Sequence, residues 1–116
     1  MPGFNDVNNE MDDLDRQIDA LAQEVEDKRL AYEKKKHELA LRYSNLVIEG
    51  KSKNPEWTQT DVTAWATTES SAEKLAMITA HSEYRRLKAR LEAKQSMQET
   101  AREKSYNRRQ ELKRLA

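Results

Sequence analysis

The stretch MDDLDRQIDALAQEVEDKRLAYEKKKHELALRYSNL, from Met11 to Leu46, has an apolar residue at every seventh position. These residues are Met11, Ile18, Val25, Tyr32, Leu39 and Leu46. A seven-residue repeat keeps one side of an α-helix against a partner helix over many turns. The stretch contains neither Gly nor Pro, and helix-favouring residues dominate it. It therefore predicts a long helix, over about 6–48, that needs a second helix beside it.

The companion positions of the same heptad change character along the chain. They are apolar at first and basic afterwards: Val7, Leu14, Leu21, Lys28, Lys35 and Arg42. A helix of about 40 residues is roughly 60 Å long, which is too long for a small globule. The two sets of positions together define the seam, the side of the helix that faces its partner. The rest of the chain has to supply that partner.

The composition agrees with long helices. The 116 residues are 36% apolar and 36% charged, with two Gly and two Pro, as in coiled coils, and predict one structural unit, 1–116. The absence of Cys excludes a disulfide, a thiol nucleophile and a zinc–thiolate site. The start of the chain lacks the pattern of a signal peptide, and no window reaches about 20 apolar residues. We therefore expect a soluble, cytoplasmic protein.

The second half of the chain predicts a loop, a short helix and a second long helix. Gly50 is expected to end helix one, and loop and short helix together occupy about 49–69. Thr58 or Thr60 is a candidate N-cap, and the Ser/Thr cluster at 67–71 predicts a second cap or a break.

Helix two is expected over about 70–115, close to helix one in length. Two such helices fold back on each other, so the predicted fold is all-α, an antiparallel hairpin of long helices with a short helix at the turn.

A turn within the loop places residue i beside residue 122 − i. Leu39 then meets Tyr84, Leu46 meets Met77, and Val7 meets Leu115. The same register sets the acidic start of helix one beside the basic end of helix two. Residues 1–27 carry nine acids and one Arg, a net charge of −8, whereas residues 95–116 have a net charge of +3. The charge pattern and the apolar pattern therefore favour the same hairpin.

This register also brings two basic stretches together. Residues 28–42 have a net charge of +4 and residues 83–94 of +3, with Lys28 opposite Lys94. Facing like charges repel, so the cluster predicts a polyanion site, although long basic side chains also extend over apolar neighbours into water. With two loop lysines added, we name the candidate nucleic-acid ligands the basic belt. Its members are Lys28, Lys35, Lys36, Arg42, Lys51, Lys53, Arg85, Arg86, Lys88 and Lys94.

Apolar residues beyond one seam predict self-association. They cluster toward the loop, and a two-helix hairpin cannot cover them. We expect a homo-oligomer. Its predicted contacts are Leu46, Val62, Trp65, Leu75 and Ile78.

The shorter motifs do not predict a catalytic or metal site. Gly50-Lys51-Ser52 lacks the first glycine and the preceding strand of a phosphate-binding loop. His37 and His81 lie within one turn of each other in the expected register, but two histidines on solvated helices rarely bind metal. Trp57 and Trp65 either pack at the turn or stack on an unpaired base. We expect no cofactor, metal or small-molecule substrate.

The layout resembles the recombination-mediator proteins of T-even-type phages. The stretches that carry the resemblance are Leu41–Lys51, Glu69–Leu91 and Asn107–Lys113, and the shared layout covers about 28–115. It implies binding of single-stranded DNA, ring-like oligomers, recombination-protein partners and the host cytoplasm. The acidic stretch 6–27 lies outside it.

Two functional hypotheses follow. The first is a non-enzymatic accessory protein that binds single-stranded nucleic acid as a homo-oligomer. The alternative is a coiled-coil structural, adaptor or inhibitor protein that binds a protein partner. Salt separates them, because phosphate binding weakens steeply with salt and an apolar helix contact hardly responds.

Overall fold

The chain consists of long helices. The computed structural model describes the backbone of residues 4–115 and the side chains of residues 9–115. Over this range it contains three helices, α1 (Phe4–Lys53), α2 (Gln59–Glu69) and α3 (Ser71–Leu115), and no strand. The predicted all-α helical hairpin is confirmed.

Helix α1 does not end at Gly50. Gly50 is buried within the helix, where a Cβ atom would lie only 2.9 Å from Cε3 of Trp65 and 3.5 Å from Cγ1 of Val62. The glycine therefore allows α2 to lie directly against the backbone of α1. The prediction that Gly50 stops the helix, with the loop starting at 49, is wrong because this glycine serves a close approach instead of a helix end.

Asn54 and Pro55 end α1. The backbone N–H of Asn54 donates to the Gly50 carbonyl at 3.0 Å, and its side-chain amide donates to the same oxygen at 3.3 Å. Pro55 has no N–H and disfavours helical geometry at the residue before it. The N–H of Trp57 then bonds to the Asn54 carbonyl at 3.0 Å, which closes a tight turn. The connection to α2 is therefore only residues 54–58.

Thr58 starts α2 with a capping box. Its side-chain oxygen accepts from the Asp61 N–H at 3.2 Å, and the Asp61 carboxylate accepts from the Thr58 N–H at 3.0 Å. Two N–H groups that the first helical turn leaves without intrahelical partners are thereby satisfied. The expected cap at Thr58 is confirmed.

The break between α2 and α3 is slight. Ser70 is buried, its hydroxyl donates to the Ala66 carbonyl at 2.7 Å, and its N–H donates to the same oxygen at 3.0 Å. The N–H of Lys74 bonds to the Ser70 carbonyl at 3.0 Å, so hydrogen bonds four residues apart flank the break on both sides. Thr67 and Thr68 also bond back to carbonyls four residues earlier, which bends helices. The break expected within 67–71 is confirmed.

The chain divides into two compact units. The turn unit comprises residues 27–85, and the terminal unit comprises residues 1–26 and 86–116. Each unit pairs a segment of α1 with a segment of the returning chain.

Three contacts fix the register of the turn unit. Nζ of Lys28 lies 3.1 Å from Oε2 of Glu83, the rings of Tyr32 and His81 are 4.6 Å apart, and Nε of Arg42 lies 3.5 Å from Oε1 of Glu73. The residue numbers of these pairs add up to 111–115 rather than 122. The expected pairings of Leu39 with Tyr84 and of Leu46 with Met77 are therefore wrong. The turn is tight and α2 belongs to the returning arm, so the chain reverses about five residues earlier.

The core of the turn unit surrounds Gly50. Leu46 is 2% exposed, and Val62 and Ala66 are completely buried. The edge of the Trp57 ring meets the half-buried Trp65 with the two centroids 5.8 Å apart. The predicted role of Leu46 and Val62 as contacts between copies is corrected, because both side chains are already covered within one chain.

The terminal unit has a narrower apolar core with polar contacts at its seam. Ile18, Leu21 and Leu87 are its buried apolar residues within the described range. The amide of Gln98 donates to the Asp15 carboxylate, and Nζ of Lys94 donates to Oε1 of Gln17 at 3.1 Å. Lys94 and Gln98 of α3 thus have polar partners on α1. The Val7 side chain lies outside the described residues.

We predict that Gly50→Ala lowers the free energy of unfolding by about 1 kcal/mol. Alanine gains roughly 1 kcal/mol of helix propensity, but forcing the Trp65 ring away costs about 1–3 kcal/mol. Urea unfolding measures the difference. The control is Asn45→Ala at an exposed position of α1, which should be neutral or slightly stabilising. A Gly50→Ala protein more stable than wild type would contradict the close packing of Trp65.

Candidate interaction surfaces

Two members of the basic belt form ion pairs between the arms of the turn unit. Lys28 pairs with Glu83, and Arg42 pairs with Glu73. The paired side chains are between 35% and 45% exposed, so solvent screens them and each pair contributes at most about 0.5–1 kcal/mol. Both cations are therefore engaged in selecting the register of the hairpin.

Arg42 also offsets part of the cost of burying the Glu73 carboxylate. Arg42 approaches Oε1, while Oε2 of the same carboxylate is buried and accepts no hydrogen bond among the described residues. An acceptor withdrawn from water without a hydrogen bond is costly, and the neighbouring guanidinium offsets part of that cost. Arg42 therefore has a structural task at this position.

Three further belt residues have local partners. Lys35 lies 3.4 Å from Glu38, Lys51 donates to Gln59 at 3.3 Å, and Lys53 lies 2.7 Å from Glu49. The hydrogen bond and the positive charge of Lys53 lower the pKa of the Glu49 carboxyl group. These contacts are exposed and exchange readily with water or with another anion.

The remaining belt residues divide into two sets. Lys94 binds Gln17, and Lys88 also interacts within the chain. Lys36, Arg85 and Arg86 are exposed. Seven of the ten predicted ligands thus contact other groups of the protein: Lys28, Lys35, Arg42, Lys51, Lys53, Lys88 and Lys94. The belt was predicted because Lys28 was expected to lie opposite Lys94. In the structure Lys28 pairs with Glu83 instead, and Lys94 donates to Gln17.

Large aliphatic side chains lie on the outside of the turn unit. Leu30, Leu41 and Ile48 are 53%, 55% and 68% exposed. They are spaced by 11 and 7 residues, which places them on one side of α1, and we name them the outer row. Each is two positions from a seam residue, a rotation of about 200°, so the outer row faces away from the returning arm.

Helix α3 has a similar pair in the same unit. Leu75 and Ile78 are 66% and 47% exposed, and they lie three residues apart on one side of the helix. Their predicted exposure is confirmed, whereas their contact with another copy stays a prediction. The outer row contains Ile48, which the sequence reasoning missed. Its seven-residue spacing from Leu41 was the available signal.

A second surface lies on the last turns of α3, in the terminal unit. Arg102, Tyr106, Arg109 and Lys113 are separated by four, three and four residues and are all exposed. This spacing places them on one side of the helix, and we name them the basic row. Tyr106 is 62% exposed, between two arginines. Sequence reasoning missed the row because it treated this end of the chain only as the counterpart of the acidic start.

The described residues hold no group of three or more His, Cys, Asp or Glu side chains that could bind a metal ion. His81 lies against Tyr32, and His37 lies five positions further along α1. None of the helices, searched over the described range, is both long and apolar enough to cross a membrane.

Comparison with known proteins found no matching family model, curated protein or solved structure.

We predict that Lys28→Glu lowers the free energy of unfolding by about 0.5–1 kcal/mol, because it places two carboxylates side by side. Adding Glu83→Lys should restore most of the loss. Urea unfolding of both single variants and the double variant measures this coupling. The register expected from the sequence requires the opposite sign for Lys28→Glu, since it would relieve repulsion from Lys94. A stabilised Lys28→Glu protein would contradict the observed register.

Proposed function

We propose that this protein is a non-enzymatic helical hairpin that acts by binding other helices, and first of all by associating with further copies of itself. The carrying observation is the set of five large aliphatic side chains exposed on the turn unit, where polar residues would serve an isolated hairpin better. They lie on both long helices of that unit.

The size of the aliphatic surface predicts a modest affinity. Covering a half-exposed Leu or Ile side chain contributes about 1 kcal/mol, so ten such residues from two copies supply roughly 10 kcal/mol. Association costs about 4–15 kcal/mol in lost freedom of motion. With the lowest cost in that range the balance is about 6 kcal/mol, which corresponds to a dissociation constant of tens of micromolar.

The charged residues support the same assignment. Lys28 and Arg42 are held by Glu83 and Glu73, so the most central cations of the belt already have anionic partners. A partner can bind the exposed apolar side chains of the turn unit without breaking these ion pairs. Ion pairs at the seam then serve to fix the register, as polar seam residues do in coiled coils.

We predict that Leu41→Glu with Ile48→Glu shifts the protein to the monomer, because four charges would face each other in a contact between two outer rows. The matched control is Ala31→Glu with Ala40→Glu, which changes the net charge equally at exposed positions off the outer row. Sedimentation velocity across the micromolar range measures assembly, and circular dichroism checks the fold. A wild-type protein that is monomeric at about 100 μM would contradict the proposal.

A second candidate function is binding of single-stranded nucleic acid, and the basic row favours it. An exposed aromatic ring between arginines suits stacking on an unpaired base with phosphate contacts on either side. The resemblance to recombination mediators implies the same activity. In this proposal Tyr106 stacks, while Arg102, Arg109 and Lys113 bind phosphates.

We predict that Arg102→Gln with Arg109→Gln weakens oligonucleotide binding and reduces the log–log salt slope by about 1.4, or roughly 0.7 for each lost phosphate contact. Tyr106→Ala should weaken binding by about 1–3 kcal/mol without changing the slope, because stacking releases no counterions.

Fluorescence anisotropy with a thymidine oligonucleotide at several salt concentrations measures both quantities. Lys34→Gln with Lys74→Gln is the matched control, since both residues are exposed and lie in the turn unit, outside the basic row. A wild-type protein without binding at low salt would remove this second function and leave the helix-binding function standing.

A further inference from the structure

The terminal unit pairs an acidic helix segment with a basic one. Over residues 4–26, α1 carries eight acids and one Arg, a net charge of −7. Over residues 86–115, α3 carries ten basic residues and four acids, a net charge of +6. The two segments pack together within one compact unit, so the acids of α1 lie beside the helix that carries the basic row.

Two hydrogen bonds join the two segments, and the charged side chains in them are Asp15 and Lys94. Across the seam, Gln98 donates to Asp15, and Lys94 donates to Gln17. The residue numbers of these two pairs add up to 111 and 113, so the exposed acids Glu10, Asp12 and Asp13 lie level with residues 98–103 of α3, where the basic row begins. Favourable interaction of acids with a helix N-terminus is limited to the first turn, so it does not account for Asp12 or Asp13.

These exposed acids lie close enough to α3 to lower the electrostatic potential around it. Packed helices have axes about 8–10 Å apart, which is close to the screening length of about 8 Å at physiological salt. The acids of α1 therefore reduce the positive potential around α3. A phosphate backbone that approaches the basic row meets this reduced potential.

We propose that the acidic segment of α1 is a built-in competitor that screens the basic row of α3 from single-stranded nucleic acid. The inference rests on the nucleic-acid binding proposed above as the second function. The segment holds affinity down while its charges stay beside α3. Neutralising the charges, or drawing the segment toward a basic partner, raises affinity.

The test neutralises three exposed acids without touching Asp15 or Gln17. The variant is Glu10→Gln with Asp12→Asn and Asp13→Asn. The matched control, Glu33→Gln with Glu56→Gln and Glu69→Gln, makes the same change in net charge at exposed positions of the turn unit. Affinity for a thymidine oligonucleotide is measured by fluorescence anisotropy at several salt concentrations, with a poly-glutamate peptide as second probe.

The terminal-unit variant should bind the oligonucleotide at least about fivefold more tightly than wild type at low salt, with a slope steeper by roughly 1–2. The control should change affinity less than about twofold. Circular dichroism and a thermal melt establish that the helices persist. If the triple variant melts early, Glu10→Gln with Asp12→Asn replaces it, with an expected gain of about threefold.

Three results would overturn the proposal. Equal affinity of wild type and variant would reject screening while leaving nucleic-acid binding intact. Absence of binding by wild type, variant and control alike would reject both. Tighter binding of the variant to poly-glutamate than to the oligonucleotide would reassign the basic row to an acidic protein partner.

Discussion

The contact of Trp65 with the backbone of Gly50 is the constraint on which the turn unit depends. No other residue type at position 50 would leave room for the ring at this distance. Because α2 lies flush against α1 there, the chain reverses within five residues, and Leu46, Val62 and Ala66 are buried in the turn unit. Asn54, Pro55 and the Thr58–Asp61 capping box make the same tight reversal possible from the loop side.

The position of the turn decides which charges meet. With the reversal at residues 54–58, Lys28 faces Glu83 and Arg42 faces Glu73. A later reversal would have opposed cations to cations. An exposed ion pair contributes little to stability. Two pairs of opposite charge in one register, where another register would place cations against cations, nevertheless favour the first register over the second. The seam charges thus specify the alignment that the glycine contact permits.

The sequence predicted the fold class and the seam of α1 correctly, because a seven-residue apolar repeat sustained over five repeats is typical of a long helix packed against another helix. It could not predict the register. Shifting one heptad pattern along another by a whole repeat matches apolar residues to apolar residues again, so the pattern is indifferent to such a shift. The observed register differs from the expected one by roughly one repeat, and the position of the turn together with the unlike charges at the seam distinguishes the two.

The errors at the candidate sites follow from the same cause. Glycine near the end of a helical pattern usually signals a helix end, and nothing local reveals that a tryptophan 15 residues later will cover it. Once Gly50 stayed in the helix, Leu46 and Val62 became core residues rather than contacts between copies. Leu75 and Ile78 remained exposed because their side of α3 depends only on local helical spacing, which a register error does not alter.

The small core also connects stability with association. Only Ile18, Leu21, Leu46, Val62, Ala66 and Leu87 are buried apolar residues among those described, whereas nine large apolar residues are exposed. Folding must offset about 1–2 kcal/mol of backbone entropy per residue, and a single seam supplies little surplus. Any partner that covers the outer row binds the folded hairpin and not the unfolded chain. The free energy of unfolding therefore rises as the concentration of the partner rises. The same apolar side chains that are exposed in one copy then stabilise an assembly.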